Sequence, residues 1–134
     1  AGPEGRVTAA DVKALHRPAL DADLPQYLAA VALGDPTRSS QRLFRMLATG
    51  MSEGAVMFAL VNLVGGALGG WAKFRDASAV LARRCPPRDL ARALDALYRA
   101  EAAWKGGRAD VVALLEHATR TLAATSGSPA PLRR

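Results

Sequence analysis

The stretch PRDLARALDALYRAEAAWK, residues 87–105, and the stretch ADVVALLEHATRTL, residues 109–122, decide the fold of this chain. In both stretches apolar residues recur at helical spacing. The pattern predicts two helices that pack as an antiparallel hairpin over Pro87–Ala124. The apolar positions are Leu90, Leu94, Leu97 and Tyr98 in the first helix, and Val111, Leu114, Leu115, Ala118 and Leu122 in the second.

The junction between the two stretches carries the signals of a tight helix–helix turn. Gly106–Gly107 supplies the left-handed residue that commonly ends a helix, because glycine adopts that backbone conformation without steric cost. Lys105 complements the negative end of the first helix, and Asp110 complements the positive end of the second.

Helix boundaries are also marked in the first half of the chain. Asp23 is predicted to cap a helix that runs to about Leu33 and ends at Gly34. The pair Asp35–Pro36 then starts a helix that stops at Gly50, with proline at the first helical position, where its missing N–H costs nothing. On that helix we expect one side to carry Leu43, Phe44 and Leu47, and the other to carry Arg38, Arg42 and Arg45.

The longest apolar run follows Ser52, its predicted cap, and contains no charged residue from Ala55 to Ala72. Its length is at the threshold for a membrane helix, and it holds two overlapping G-x-x-x-G pairs. The alternative, which we favour, is a core helix surrounded by amphipathic neighbours that need an apolar partner. Asn62 and the four glycines lower its affinity for a membrane. The small residues then allow close helix approach, or a kink near Gly65–Gly70.

These patterns predict an all-α fold, a single-domain bundle of five to seven helices ending in the hairpin. A further short helix is predicted over Ala77–Arg84, and another from Thr8 to about Leu15, with Asp11 in capping-box position. We divide the chain into a lead-in and linker (1–22), the helical domain (23–125) and a disordered tail (126–134).

Three segments resemble, in order, the delta subunit of the bacterial DNA polymerase III clamp loader. The last is L-x-x-L-Y-x-A-E-x-x-x-K-G-G (residues 94–107) followed by Leu115–Glu116, with Glu101, Lys105 and Gly106 at the end of the penultimate helix. GRVTAADVKAL (residues 5–15) resembles the segment that closes the delta lid domain. YLAAVALGDPTRSSQRLFRMLATG (residues 27–50) resembles the first helices of the C-terminal collar domain.

The resemblance implies a collar domain that packs against the tau/gamma and delta-prime subunits and holds the loader together during DNA replication. It implies a cytoplasmic fragment of a longer chain that is not an enzyme, binds neither ATP nor magnesium and does not itself open the clamp. The single cysteine, Cys85, fits a reducing compartment, and its expected state is a buried or idle thiol.

The alternative function is a basic helical module that contacts nucleic acid, because the formal net charge is +6. The basic residues could form a phosphate-contacting face, although a solvated helix side is favoured because no aromatic residue lies among them. Weak, non-specific DNA contact fits either function. The arginines in question are Arg38, Arg42, Arg45, Arg83, Arg84 and Arg88.

Patterns of catalytic, cofactor-binding or metal-ligating residues do not occur in the sequence. GGALGG (residues 65–70) lies inside the apolar run and lacks the lysine of a phosphate-binding loop. His16 and His117 lie too far apart for metal-ligand spacing and are expected at the surface. We therefore expect a binding or assembly module without a small-molecule substrate and without a membrane span.

The candidate partner interface lies on the first hairpin helix. Tyr98 and Trp104 project away from the leucine line of that helix, and Arg99 and Lys105 would form a polar rim around them. The alternative is that both rings cap the core of this domain. Trp71, which like Trp104 ends an apolar stretch near a basic residue, is expected to anchor the fold, with a place in a protein interface as the alternative.

Overall fold

A computed structural model describes residues 23–107 and 110–124, and this part of the chain holds six helices and no strand. The predicted all-α bundle is therefore confirmed. The predictions at Thr8, Asp11 and His16, and those for the lead-in and the tail, lie outside the described residues. The helices are α1 (residues 23–33), α2 (Pro36–Ala48), α3 (Glu53–Ala67), α4 (Arg75–Arg84), α5 (Pro87–Lys105) and α6 (Val111–Ala124).

Local sequence signals place most of the helix ends. The Asp35 carboxylate accepts a hydrogen bond from the Arg38 backbone N–H at 3.0 Å, and the Ser52 hydroxyl accepts one from the Ala55 N–H at 3.1 Å. Both N-caps and the proline at the start of α2 are thus confirmed. Gly107, after α5, has a φ of +71°, as a left-handed C-terminal residue requires.

Asp23 does not have the predicted capping role. Residue 23 is already helical, so its side chain is not the N-cap of α1. The Asp23 carboxylate is buried instead, and it lies 3.7 Å from the guanidinium of Arg45 on α2. From sequence alone, an acidic residue near a helix start is equally compatible with a capping role and with an ion pair. The position of α2, which brings Arg45 close, decides for the ion pair.

Helix α3 is the centre of the bundle and contacts α4, α5 and α6. The apolar run is therefore a core element as predicted, and none of the described helices is long and apolar enough to cross a membrane. The helix ends at Ala67 instead of running on to Ala72, and Phe58 on its outer side is exposed. Its buried residues are Val56, Met57, Ala59, Leu60, Leu63 and Val64.

The buried side of α2 differs from the predicted one. Leu43 is buried as expected, but its companions are Ser39, Ser40 and Met46, whereas Phe44 is exposed. Positions 39, 43 and 46 follow one helical stripe, and Phe44 stands about 100° further round the helix. Small serines on this stripe allow α6 to approach closely, and the Ser39 hydroxyl donates to the Asp35 carbonyl at 2.6 Å.

The hairpin of α5 and α6 is present, and a buried hydrogen bond connects α6 to α1. The buried residues of α6 are Leu115, Thr119, Leu122 and Ala123, so Thr119 takes the position in the core that the sequence pattern gave to Ala118. The Tyr27 hydroxyl and the Thr119 hydroxyl lie 2.7 Å apart in the core.

We expect stability to fall at alkaline pH because of Tyr27. Burial raises the pKa of the Tyr27 phenol far above its ordinary value near 10, although the hydrogen bond to Thr119 acts in the opposite direction. Above pH 10 the phenol ionises in the unfolded chain but stays neutral in the folded one. This favours unfolding by up to about 1.4 kcal/mol per pH unit. Urea unfolding between pH 8 and 11.5 measures the slope, and an equal slope in Tyr27→Phe would contradict this assignment.

The G-x-x-x-G prediction of close helix approach holds at Gly66. A Cβ built there would lie 2.6 Å from the Ser78 hydroxyl oxygen and 3.1 Å from the Ala72 Cα, whereas a Cβ at Gly65 meets nothing within 4 Å. The Ser78 hydroxyl donates to the Leu63 carbonyl at 2.9 Å and fixes α4 against this turn of α3.

This contrast gives a matched pair of substitutions. Gly66→Ala should destabilise the protein by about 1–2 kcal/mol, because the backbone at Ala72 cannot move aside cheaply. Gly65→Ala should be neutral or stabilising by up to about 1 kcal/mol, since alanine is the better helix former. Thermal unfolding of both variants is the measurement. Equal effects at the two sites would show that the close contact at Gly66 does not constrain the fold.

Candidate interaction surface

The four residues predicted as an interface all lie on α5, but the rings of Tyr98 and Trp104 point in different directions. Tyr98 is 52% exposed. Trp104 is half-buried, and the far edge of its ring (Cη2) lies 3.0 Å from the position that a Cβ on Gly54 would take. Two positions six residues apart are about 120° apart around a helix, so the two rings face different directions. Trp104 therefore contacts α3, and Tyr98 faces outward.

The predicted polar rim consists of ion pairs within the helix. Arg99 lies 3.0 Å from the carboxylate of Asp95, and Lys105 lies 3.1 Å from that of Glu101. Both basic side chains are well exposed. Such i, i+4 pairs contribute only about 0.3–0.5 kcal/mol each, so they leave the charges available to a partner.

Large hydrophobic side chains are exposed on four separate helices and on the segment after α3. Leu33 at the end of α1 is 67% exposed, and Trp71 is 79% exposed. The prediction that Trp71 anchors the fold is therefore wrong, because α3 ends before residue 71 and the ring lies outside the core. No pattern in the sequence indicates a surface role for Leu33 or Phe58. Within residues 23–107 and 110–124, the exposed large hydrophobic residues are Leu33, Phe44, Phe58, Leu68, Trp71 and Tyr98.

The Phe58 ring belongs to a small exposed group on the outer side of α3. The ammonium of Lys73 lies 5.7 Å from the centre of this ring, within range of a cation–π interaction. Asn62 donates from its side-chain amide to the Phe58 carbonyl at 2.8 Å, which occupies the one polar side chain in the middle of the apolar run.

A groove of about 340 Å³ lies between α1 and α4. Leu28, Ala29 and Leu33 form one wall, and Phe74, Ala77 and Val80 form the other. Two charged residues, Arg75 and Asp76, lie at its edge. A lining of this kind suits apolar side chains better than a polar small molecule.

Arg84 holds the two helices that form the groove at one end. Its Nε donates to the Ala32 carbonyl at 2.7 Å, and its Nη2 lies 3.0 Å from the Val31 carbonyl and 3.2 Å from the Leu122 carbonyl. One guanidinium therefore donates to carbonyls at the C-terminal ends of α1 and α6, and the Val31 carbonyl also accepts a hydrogen bond from the Gly34 N–H at 3.1 Å.

The six arginines considered as a phosphate-contacting face lie on three helices, α2, α4 and α5, and have different surroundings. Arg84 binds backbone carbonyls, Arg45 faces the buried Asp23, and Arg38 lies 3.7 Å from the carboxylate of its own cap, Asp35. Arg83 and Arg88 remain exposed on different helices.

The remaining candidate residues from the sequence are a cysteine and a histidine. Cys85 is buried as expected. His117 is exposed as expected and borders a smaller cavity of about 90 Å³ between α5 and α6. Within residues 23–107 and 110–124, no group of three or more His, Cys, Asp or Glu side chains could hold a metal ion.

Together, the described residues form an all-α bundle that carries several exposed hydrophobic side chains and an apolar groove. Comparison with known proteins adds no relative, because no family model, curated protein or solved structure matches the chain.

Proposed function

We propose that this chain contains the collar domain of a clamp-loader delta subunit, a cytoplasmic assembly module for DNA replication. The proposal starts from the three segments that resemble that family and follow each other in the same order. It agrees with the all-α bundle that ends in a helical hairpin. In this role the domain performs no chemistry and associates with tau/gamma and delta-prime subunits.

The observation that carries the proposal is the distribution of exposed hydrophobic side chains. Leu33, Phe58 and Tyr98 lie on α1, α3 and α5, and Trp71 lies on the segment between α3 and α4, all outside the buried core. Scattered single hydrophobics are common on protein surfaces, but an apolar groove together with exposed aromatic side chains in one small domain is typical of binding surfaces. A member of a ring needs contacts with two neighbours, which requires more than one such surface.

Association with the other collars is the direct test. The 134-residue chain is mixed at micromolar concentration with the tau/gamma and delta-prime subunits of the same organism, and complex formation is followed by size exclusion and calorimetry. We expect a stable complex. Helical circular dichroism and cooperative melting verify that the chain is folded. If the folded chain forms no complex with either subunit, the proposal is overturned.

The same sample tests the nucleic-acid alternative. Titration with labelled duplex DNA at two salt concentrations should give at most weak, sequence-independent binding under the collar proposal. A nucleic-acid module would bind tightly at low salt, and log K would fall by about 0.9 per phosphate neutralised as log salt concentration rises. Tight DNA binding without association with the two subunits would replace the collar proposal by the alternative.

A further inference from the structure

We propose that the groove between α1 and α4 receives an acidic amphipathic helix presented by a neighbouring subunit. The proposal rests on the proposed function, and it assigns one surface of this domain to one kind of partner.

The volume of the groove fits side chains of a helix. An apolar cavity of about 150 Å³ accepts a group the size of benzene. A groove of about 340 Å³ therefore holds about two large apolar side chains. Residues at i and i+4 of a helix stand on the same face and would enter it together. Leu33, which is 67% exposed at the rim, would be covered by the backbone of such a helix.

The α1 wall presents no charge to this partner. Its outward residues Pro25, Gln26, Ala29 and Leu33 are uncharged, and the one charged residue among residues 23–33, Asp23, is buried beside Arg45. A helix surface of a soluble domain normally carries charged residues on its outer face. Their absence is typical of a surface that a partner covers.

The α4 wall sets the sign of the partner's charge. Arg75 lies at one end of the groove, and the exposed Arg83 stands one turn beyond Val80 on the same side of α4. Within the described part of the chain, neither arginine lies within 4.0 Å of a carboxylate. Asp76 is the one acidic residue in the lining, and it complements the N-terminal end of α4.

The spacing of the two arginines predicts the pattern of acidic residues in the partner. Arg75 and Arg83 are eight positions apart, which corresponds to about 12 Å along a helix at 1.5 Å per residue. A helix lying along the groove would meet both with Asp or Glu residues seven or eight positions apart, on either side of its apolar pair. A second copy of this chain is disfavoured as the occupant because it would bring the same basic rim and the same net charge of +6.

Substitutions in the groove test this assignment with the full 134-residue chain and the tau/gamma and delta-prime subunits as the probe. Ala29→Glu places a carboxylate on the exposed uncharged wall and should weaken the complex at least about 10-fold, whereas Ala29→Lys should weaken it less. The double variant Arg75→Glu/Arg83→Glu should weaken it about 5-fold or more, with the loss reduced at high salt. The control is Arg88→Glu, on α5 and outside the groove lining, which should leave affinity within about 2-fold.

The outcomes separate this proposal from the proposed function. The groove variants should melt like the wild type. If the wild-type chain binds the subunits and the groove variants bind them equally well, the groove assignment is wrong and the collar assignment stands. A homodimer that Ala29→Glu dissociates would identify a second copy as the occupant and overturn the acidic-helix assignment. A complete lack of association with the subunits would overturn both proposals.

Discussion

Arg84→Ala should lower the free energy of unfolding by about 3 kcal/mol, and the melting temperature by about 12 °C or more. The expected size follows from the three carbonyls that one guanidinium satisfies, two at the end of α1 and one near the end of α6. A hydrogen bond to a charged group contributes about 1.5–3 kcal/mol, and the contributions of a shared group do not add in full. The carbonyls left behind are partly buried, so water replaces the lost donor incompletely.

The neighbouring residue provides the control for this prediction. Arg83 is exposed on the same turn of α4, and Arg83→Ala should change stability by no more than about 0.5 kcal/mol. Arg84→Lys should recover only part of the loss, because an ammonium cannot reproduce the planar fork of donors. Chemical denaturation of the three variants measures the difference. Arg83→Ala and Arg84→Ala with equal stability would refute the role of Arg84 as a shared helix cap.

The approach of Gly34 to Arg84 adds a second constraint on the same contact. Gly34 has a φ of +87°, and a Cβ there would lie 3.1 Å from the guanidinium carbon. The backbone conformation that ends α1 therefore favours glycine at this position, and an added side chain would also press on the guanidinium of Arg84. The end of α1 and the position of α4 are thus set by the same pair of residues.

Arg84 also marks the limit of what the sequence could predict. The caps at Asp35 and Ser52 and the glycine turn at Gly107 depend on residues at most three positions away, so local patterns were sufficient. The partners of Arg84 lie 52 and 38 residues away, and no local period indicates them. The arginine was grouped with surface arginines because sequence separation hides a contact that only helix packing creates.

The candidate surfaces likewise combine features that local sequence patterns predict with features that only helix packing decides. The composition of the apolar run was sufficient to predict that it forms the core. The exposed outer side of α3 and its end at Ala67 depend instead on which neighbouring helices cover α3. The groove requires α1 and α4 to lie side by side, and these two helices are separated by two others in the chain. The prediction that Phe44 lies on the buried side of α2 is wrong because adjacent stripes on a short helix have similar apolar content, and Met46 is buried instead. The position of α6 decided between them.

Trp104→Ala should destabilise the protein by about 2–3 kcal/mol, which is the second largest effect we expect. Full burial of a tryptophan ring gives a loss of about 3–5 kcal/mol on truncation, and half-burial reduces it. The ring holds the last turn of α5 against the first turn of α3, where Gly54 offers no side chain. The contact explains why Trp104 contributes to the fold, whereas Tyr98 on the outward side is free for a partner. Tyr98→Ala should therefore keep its melting temperature and, under the collar proposal, weaken the complex about 10-fold.

A double-mutant cycle with Gly54→Ala isolates the contact between the ring and α3. In the wild-type background the added methyl would lie 3.0 Å from the ring edge and should destabilise, because the ring must move. With Trp104→Ala that obstacle is removed, and the same substitution should stabilise by about 0.5–1 kcal/mol through the better helix propensity of alanine. The sign of the Gly54→Ala effect thus reverses with the residue at position 104. The same sign in both backgrounds would mean that the ring does not pack on α3 in solution, and Trp104 would then be available to a partner on the same footing as Tyr98.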